Sequence, residues 1–308
     1  MKKILLLSCL IIALLMSCSK RDTETTQTES AGKTAVKQQT LLIGLIPEQN
    51  IFEQIKRYTP LAEYMSKKTG VEIKLKILIR YGNIVDNFKS MGLDGAFFGS
   101  FTYSLAHARL GVEVFARPES VDGLSSYHGL IFVRKDSGMS TVNEMKGKIF
   151  AFVDKATTAG YLYPLAYFRR HGIKDSGSFF KETYYAGTHE DVLYDVLNKR
   201  ADIGAVKNTV FYRLADRDIR ISDDLVVLER SSSVPSNGLA VRKDLNSLLK
   251  IKLKQTLLEM HNDMEGRKVL NELGYRKFIE TTVDDYTGVH DLAKDADINL
   301  ETYDYMNY

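Results

Sequence analysis

From residue 41 onward, short apolar runs alternate with stretches whose apolar residues recur every three or four positions. Residues 41–46 read as a first strand. Ile51, Ile55, Tyr58, Leu61 and Met65 then fall on one helical face, with Pro60 expected to kink or divide that helix and Gly70 to close it. A strand over 72–79, a helix over 84–91 and a short buried strand over 95–98 follow, the last stopping at Gly99-Ser100 before a helix that runs through Ala108. Residues 129–134 are strand-like, 142–147 a short helix and 149–153 a strand that leads into Thr157-Thr158 and a helix ending near Gly172. Residues 182–185 lead into Thr188 and a helix ending near Lys199. Further strands fall at 203–206, 225–228 and 238–241, and the chain from Leu245 reads as largely helical. This alternation predicts an α/β protein with mostly parallel sheets flanked by helices.

The first forty residues do not share the pattern. Lys2 and Lys3 precede an apolar run over 4–16, then Ser17-Cys18, the order of a bacterial export signal. The run is too short to span a bilayer. A small residue directly before the first cysteine after that run resembles a lipobox, which places cleavage between Ser17 and Cys18 and a lipid on Cys18. Residues 19–40 are rich in threonine and charge, hold no aromatic residue, and read as a flexible tether. The only two cysteines are Cys9 and Cys18, so a mature chain has no thiol for a disulfide, a metal or catalysis. Loss of Lys2 and Lys3 lowers the formal charge from +3 to +1, which argues against a nucleic-acid partner.

No nucleophile elbow, phosphate loop, dinucleotide fingerprint or zinc-protease helix occurs, and the six histidines are scattered. No catalytic residue, metal or cofactor is expected. Ser100, His189 and Asp202 could form a triad only by chance of folding. The chain does offer hydroxyl-rich strand-to-helix junctions, of which Thr157-Thr158-Ala159-Gly160-Tyr161 is the best. A helix start presents unpaired N–H groups and a partial positive charge, and hydroxyls add donors without a counter-charge, a combination suited to a tetrahedral oxyanion. Ordinary capping would use the same residues.

The ordered set LLIGLIPEQN, PLAEYMSKKTGVEIKL, GAFFGSFTYSLAHARLG, VNEMKGKIFAFVDKATTAGYLYP and YYAGTHEDVLYDVLNKRADIGAV resembles the phosphate, phosphite and phosphonate substrate-binding proteins of ABC transporters over residues 41–242. The resemblance implies a two-lobed type II periplasmic-binding-protein fold with two crossing segments, sought at 127–134 and 231–239. Lobe I would comprise 41–134 with 235–308, and lobe II 135–234. It also implies hinge closure on a small phosphorus oxyanion, and delivery to separate permease and ATPase chains by a monomer lipid-anchored in the cell envelope.

Carried over by motif, the ligand residues would be Tyr81, Ser100 and Tyr103 in GSFTY, Tyr127, Thr157 and Thr158 with Tyr161 nearby, and His189 in GTHED. Two departures stand out. Ser100 follows Gly99 where many relatives carry proline. Lys207 follows GAV where relatives that take aminoalkylphosphonates place an acid, so a ligand without an ammonium tail is expected, provided that Lys207 faces the cleft. The same body would also suit a sensor that reports to a membrane receptor, which neighbouring genes would distinguish, or a surface phosphoesterase, which turnover of a chromogenic ester would distinguish.

Overall fold

The computed structural model describes residues 39–48 and 50–307, so the expected export signal, Cys18 and nearly all of the expected tether lie outside the described residues. The chain first builds β1 (Thr40–Leu45), α1 (Ile51–Thr69), β2 (Glu72–Ile77), α2 (Asn83–Ser90), β3 (Gly95–Phe98), α3 (Ser100–Leu110) and β4 (Glu113–Ser120). It crosses through β5 (Ser126–Tyr127) into β6 (Gly129–Arg134), β7 (Ile149–Phe152), α4 (Tyr163–Arg170), α5 (Ser176–Phe179), β8 (Glu182–Tyr185), α6 (His189–Leu197), β9 (Ile203–Lys207), α7 (Asn208–Ala215), α8 (Ile219–Asp224) and β10 (Leu225–Arg230). It returns through β11 (Val234–Pro235) to β12 (Gly238–Val241), α9 (Ser247–Leu258), α10 (Met264–Leu273), β13 (Tyr275–Glu280) and α11 (Thr287–Asp295).

Two mixed sheets result, in the orders β13-β4-β12-β3-β1-β2 and β10-β6-β9-β7-β8. Parallel pairing is confined to β2-β1-β3 and to β8-β7-β9. In each sheet the strand that arrives from a crossing lies antiparallel to its neighbours, β12 between β3 and β4 and β6 between β9 and β10. The crossing strands β5 and β11 pair antiparallel with each other. This is the two-lobed type II binding-protein architecture, and it sets the carboxyl ends of both parallel triplets against one cleft, where α/β sheets bind ligands.

Several expectations change. The strand over 129–134 belongs to the second sheet, because it pairs with β9 and β10, so the outward crossing falls near residue 128 and not at 134. Helix α1 runs undivided through Pro60, held at its start by the Asn50 side chain, which accepts from the amides of Phe52 and Glu53, and at its end by Gly70 in the left-handed conformation. The region expected to be helical after Leu245 contains β13, an edge strand on β4.

The core has three parts. One covers a face of the first sheet with Leu41, Ile43, Leu45, Leu61 and Leu257, and another a face of the second with Ile131, Phe150, Phe152 and Phe168. The third joins the opposite faces of both, from Ala96 and Phe98 to Phe132 and Val206, through Val289 and Leu292 of α11. Helix α11 is therefore shared by the lobes. Among the described residues, no helix is long and apolar enough to cross a membrane.

Candidate functional site

Two helix starts meet across the lobes. After β3, Gly99 leads into α3, where the Phe101 amide donates to Thr158 Oγ1 at 2.9 Å and the Thr102 hydroxyl donates to the Ala156 carbonyl at 2.9 Å. After β7, residues 154–157 turn tightly: Asp154 Oδ1 accepts the Ala156 amide and the Thr157 hydroxyl donates to the Asp154 carbonyl. Residues Thr158–Leu162 then form a π-helical turn, a widened turn that recurs at functional sites. The turn needs a glycine at 160, since a Cβ there would stand 2.3 Å from Val153 Cγ2 and 2.9 Å from Thr157 Oγ1. Both starts carry the partial positive charge of a helix N-terminus, so an anion between them would relieve their mutual repulsion.

Beside them, Tyr81 in the connection from β2 to α2 meets His189 at the start of α6 edge-on, with ring centroids 6.0 Å apart. The Tyr81 side chain is buried, and its hydroxyl has no hydrogen-bond partner among the described residues. Burial first, and the charges of Glu48 and Asp154 next, hold that hydroxyl well above its ordinary pKa, so it remains a donor. His189 Nδ1 accepts the amide of Lys207 at 3.3 Å, which leaves the proton of the neutral ring on Nε2. Burial depresses the His189 pKa to about 3, with Lys207 and Arg213 adding in the same direction against Glu48, so the ring stays neutral at ordinary pH.

Lys207 closes the outer side of this interior. Its ammonium lies 2.9 Å from Glu48 Oε1, 3.0 Å from Asn237 Oδ1, and 4.4 Å from the centre of the Tyr127 ring. Asn237 Nδ2 donates to the same Glu48 oxygen at 3.0 Å. Burial raises the Glu48 pKa, but the charge and hydrogen bond of Lys207 outweigh it and bring the carboxyl to about 2. Outside the pair is a cavity of about 200 Å³ lined in part by Glu48, Lys207, Arg57 and Arg213. It adjoins a more open groove of about 490 Å³ that also carries Lys56 and Arg217.

Of the residues expected from the sequence, direct contacts join Tyr81, Tyr127, His189 and Lys207, and Thr157 and Thr158 stand on the neighbouring turn, whose Asp154 carboxylate accepts the Tyr81 amide. The hydroxyl of Ser100 donates to the Pro235 carbonyl of the return crossing at 2.5 Å, which ties α3 to the hinge. Tyr103 stands apart from the group, because it points into the lobe I core against Tyr286 at 4.3 Å. Tyr161 turns away as well and packs on Phe152, Tyr185 and Tyr303. Ser100, His189 and Asp202 form no triad, since Asp202 accepts the Ile149 amide at the far end of β7. Sequence reasoning missed Glu48, Asn237 and Asp154. Each follows the end of a strand or lies on a crossing, which was the available signal.

The architecture and the convergence of donors at strand ends define a two-lobed solute-binding protein. Comparison with known proteins then makes the family definite. The model of the family described as "ABC transporter, phosphonate, periplasmic substrate-binding protein" matches residues 43–286, and the chain belongs to that family. It is 28% identical over 242 residues to the phosphonates-binding periplasmic protein of Escherichia coli, covering 77% of this chain and 70% of that one. It is also 28% identical to a phosphate-import protein, PhnD, of Mycolicibacterium smegmatis, over 56% of each chain. Among solved structures, a binding protein component of an ABC phosphonate transporter from Pseudomonas aeruginosa matches with a TM-score of 0.79 at 25% identity, covering 84% of this chain and 87% of the other. PhnD1 of Prochlorococcus marinus, solved in complex with methylphosphonate, matches with a TM-score of 0.75 at 20% identity over 84% of this chain and 98% of the other.

Proposed function

We propose that this chain captures a small phosphorus oxyanion, either phosphate, phosphite or a short phosphonate, by closure of its two lobes, and presents it to an importer whose permease and ATPase are separate chains. The buried Tyr81 hydroxyl, which has no hydrogen-bond partner among the described residues and belongs to a ring in edge contact with the neutral His189 ring, is the observation that carries the reading. A buried donor left unmade costs about 1–3 kcal/mol, a cost that an acceptor oxygen in the cleft would remove. The starts of α3 and of the Thr158–Leu162 turn add backbone donors, and Thr158 Oγ1 bridges the two starts by accepting the Phe101 amide. These groups are neutral, which suits an anion whose charge is met by dipoles.

No covalent step is needed: opening exposes donors on both lobes, and closure removes water from them. In this reading the chain is not an enzyme, acts as a monomer and is held to the envelope by a lipid on Cys18 after removal of residues 1–17. Membership in a family of transporter binding components favours an importer over a sensor as the partner.

A thermal-shift panel of phosphate, phosphite, methylphosphonate, 2-aminoethylphosphonate and sulfate on the soluble domain tests the assignment. Ligand at a hundred times its Kd stabilises the fold by about 2.7 kcal/mol. At least one phosphorus oxyanion should raise the melting temperature well beyond sulfate, whereas a flat panel contradicts the reading.

A further inference from the structure

We propose that Lys207 fills, from within the chain, a subsite built for an alkylammonium, and that this internal occupant restricts the site to phosphorus oxyanions that carry no amine; the inference rests on the function proposed above. Three groups surround the ammonium of Lys207, and each is of a kind that recognises cations: the Glu48 carboxylate, the Asn237 amide oxygen and the face of the Tyr127 ring. Only 7% of Lys207 and 7% of Asn237 is exposed, so the cage is largely shielded from bulk water, with its outer side on the cavity that Glu48, Lys207 and Asn237 help to line.

The cage does not depend on the lysine for its shape. Asn237 Nδ2 holds Glu48 Oε1 independently, and Tyr127 is fixed in the crossing strand by its pairing with Val234. Lys207 also connects the cage to the interior, because its own amide donates to His189 Nδ1. The cage thus lies one lysine side chain from the proposed oxyanion donors. An ammonium on a short carbon tail would arrive where Lys207 Nζ stands and meet a like charge.

Removing the lysine amine leaves a buried carboxylate without its partner, a costly state that an external cation relieves. Arg57 and Arg213 feel the same carboxylate and share the outer cavity with Glu48, Lys207 and Asn237, so in Lys207→Ala they compete with an external amine for it.

Calorimetric titration of the wild type, Lys207→Ala and the double variant Glu48→Gln/Lys207→Ala with methylphosphonate and 2-aminoethylphosphonate tests this. The wild type should favour methylphosphonate by at least about tenfold, the size expected when a charge-assisted contact is replaced by repulsion. In Lys207→Ala the ratio of aminoethylphosphonate to methylphosphonate affinity should rise by at least about tenfold, and the double variant should lose that gain because the carboxylate is gone.

In the absence of phosphorus ligands, ethylammonium chloride should raise the melting temperature of Lys207→Ala, but not of the wild type, relative to equal sodium chloride. An unchanged ratio in a folded Lys207→Ala that still binds methylphosphonate overturns the inference. So does a wild type that binds both ligands equally, a result that needs no variant to fold. If Lys207→Ala binds neither ligand, the ethylammonium arm decides, and no rise overturns the inference. A wild type that binds none of phosphate, phosphite and methylphosphonate overturns the function proposed above, and the inference with it.

Discussion

The bond from the Lys207 amide to His189 Nδ1 decides which proton the imidazole can offer, and burial keeps that ring neutral. The pH dependence of stability follows. The folded ring titrates at about 3 against 6.5 for the ordinary group, so as pH falls below 6.5 the unfolded chain takes up a proton that the native ring refuses, and stability is lost toward pH 3. Glu48, lowered from 4.5 to about 2, acts in the same sense but only below 4.5. Between pH 6.5 and 4.5 the wild type should lose up to about 1.4 kcal/mol per pH unit through His189. His189→Asn retains an acceptor for the Lys207 amide but lacks this loss, so the stability gap between the two proteins, measured by urea unfolding, should narrow as pH falls; a constant gap contradicts the assignment.

Tyr81 gives a prediction of opposite signs. Tyr81→Phe removes a buried hydroxyl without a partner and should raise the ligand-free melting temperature, while lowering methylphosphonate affinity by about tenfold, because the hydrogen bond made only with ligand is lost. Lower stability together with unchanged affinity would show that the hydroxyl serves the fold alone. Tyr81 and His189 were legible in the sequence only through the motifs around them. Tyr103 was not separable from them, because an aromatic residue one turn into a helix reads the same whether it faces the cleft or, as here, Tyr286.

At the scale of elements, the turn after β7 carries the most information. Thr157-Thr158 at a strand-to-helix junction was readable as a donor site, but its π-helical form was not, since it depends on how closely Gly160 approaches Val153. Gly160→Ala should destabilise the protein by about 1–3 kcal/mol through overpacking, and should weaken oxyanion binding because the added methyl displaces Thr157. Urea unfolding and calorimetry on the same sample would check both effects, and a neutral substitution would mean that the turn yields without cost. The strands buried on both faces, such as β3 and β9, announced themselves as continuous apolar runs. The edge strand β13 did not, because in YRKFIE only Phe278 is buried and the remaining residues look helical or exposed. The placement of β6 was hidden for another reason: a strand next to a crossing fits either sheet until its pairing is known.

At the scale of the molecule, the two lobes are joined by more than the β5 and β11 crossings. Arg109 of lobe I donates to the carbonyls of Leu300 and Tyr303, and the Tyr305 hydroxyl bonds Asp86. On lobe II, Asn307 bonds both Asp154 and the Lys155 amide. The C-terminal stretch therefore staples one lobe to the other next to the candidate site. Exposed pairs such as Arg169–Asp297 add little to this. A chain ended after residue 298 should melt at a lower temperature, and its radius of gyration by solution scattering without ligand should exceed that of the full chain, because the lobes separate more freely. Equal radii would show that the crossings alone set the closure.

In the function proposed above, a phosphorus oxyanion lies between the lobes against Tyr81, His189 and the turn at Thr158, on the inner side of the Lys207–Glu48 pair. A crystal structure of the soluble protein with methylphosphonate is its most direct test. Phosphonate oxygens should lie within hydrogen-bonding distance of the Tyr81 hydroxyl and His189 Nε2, with Lys207 still paired to Glu48. A phosphonate bound instead in the outer cavity against Arg57 and Arg213, with Tyr81 and His189 untouched, would contradict it.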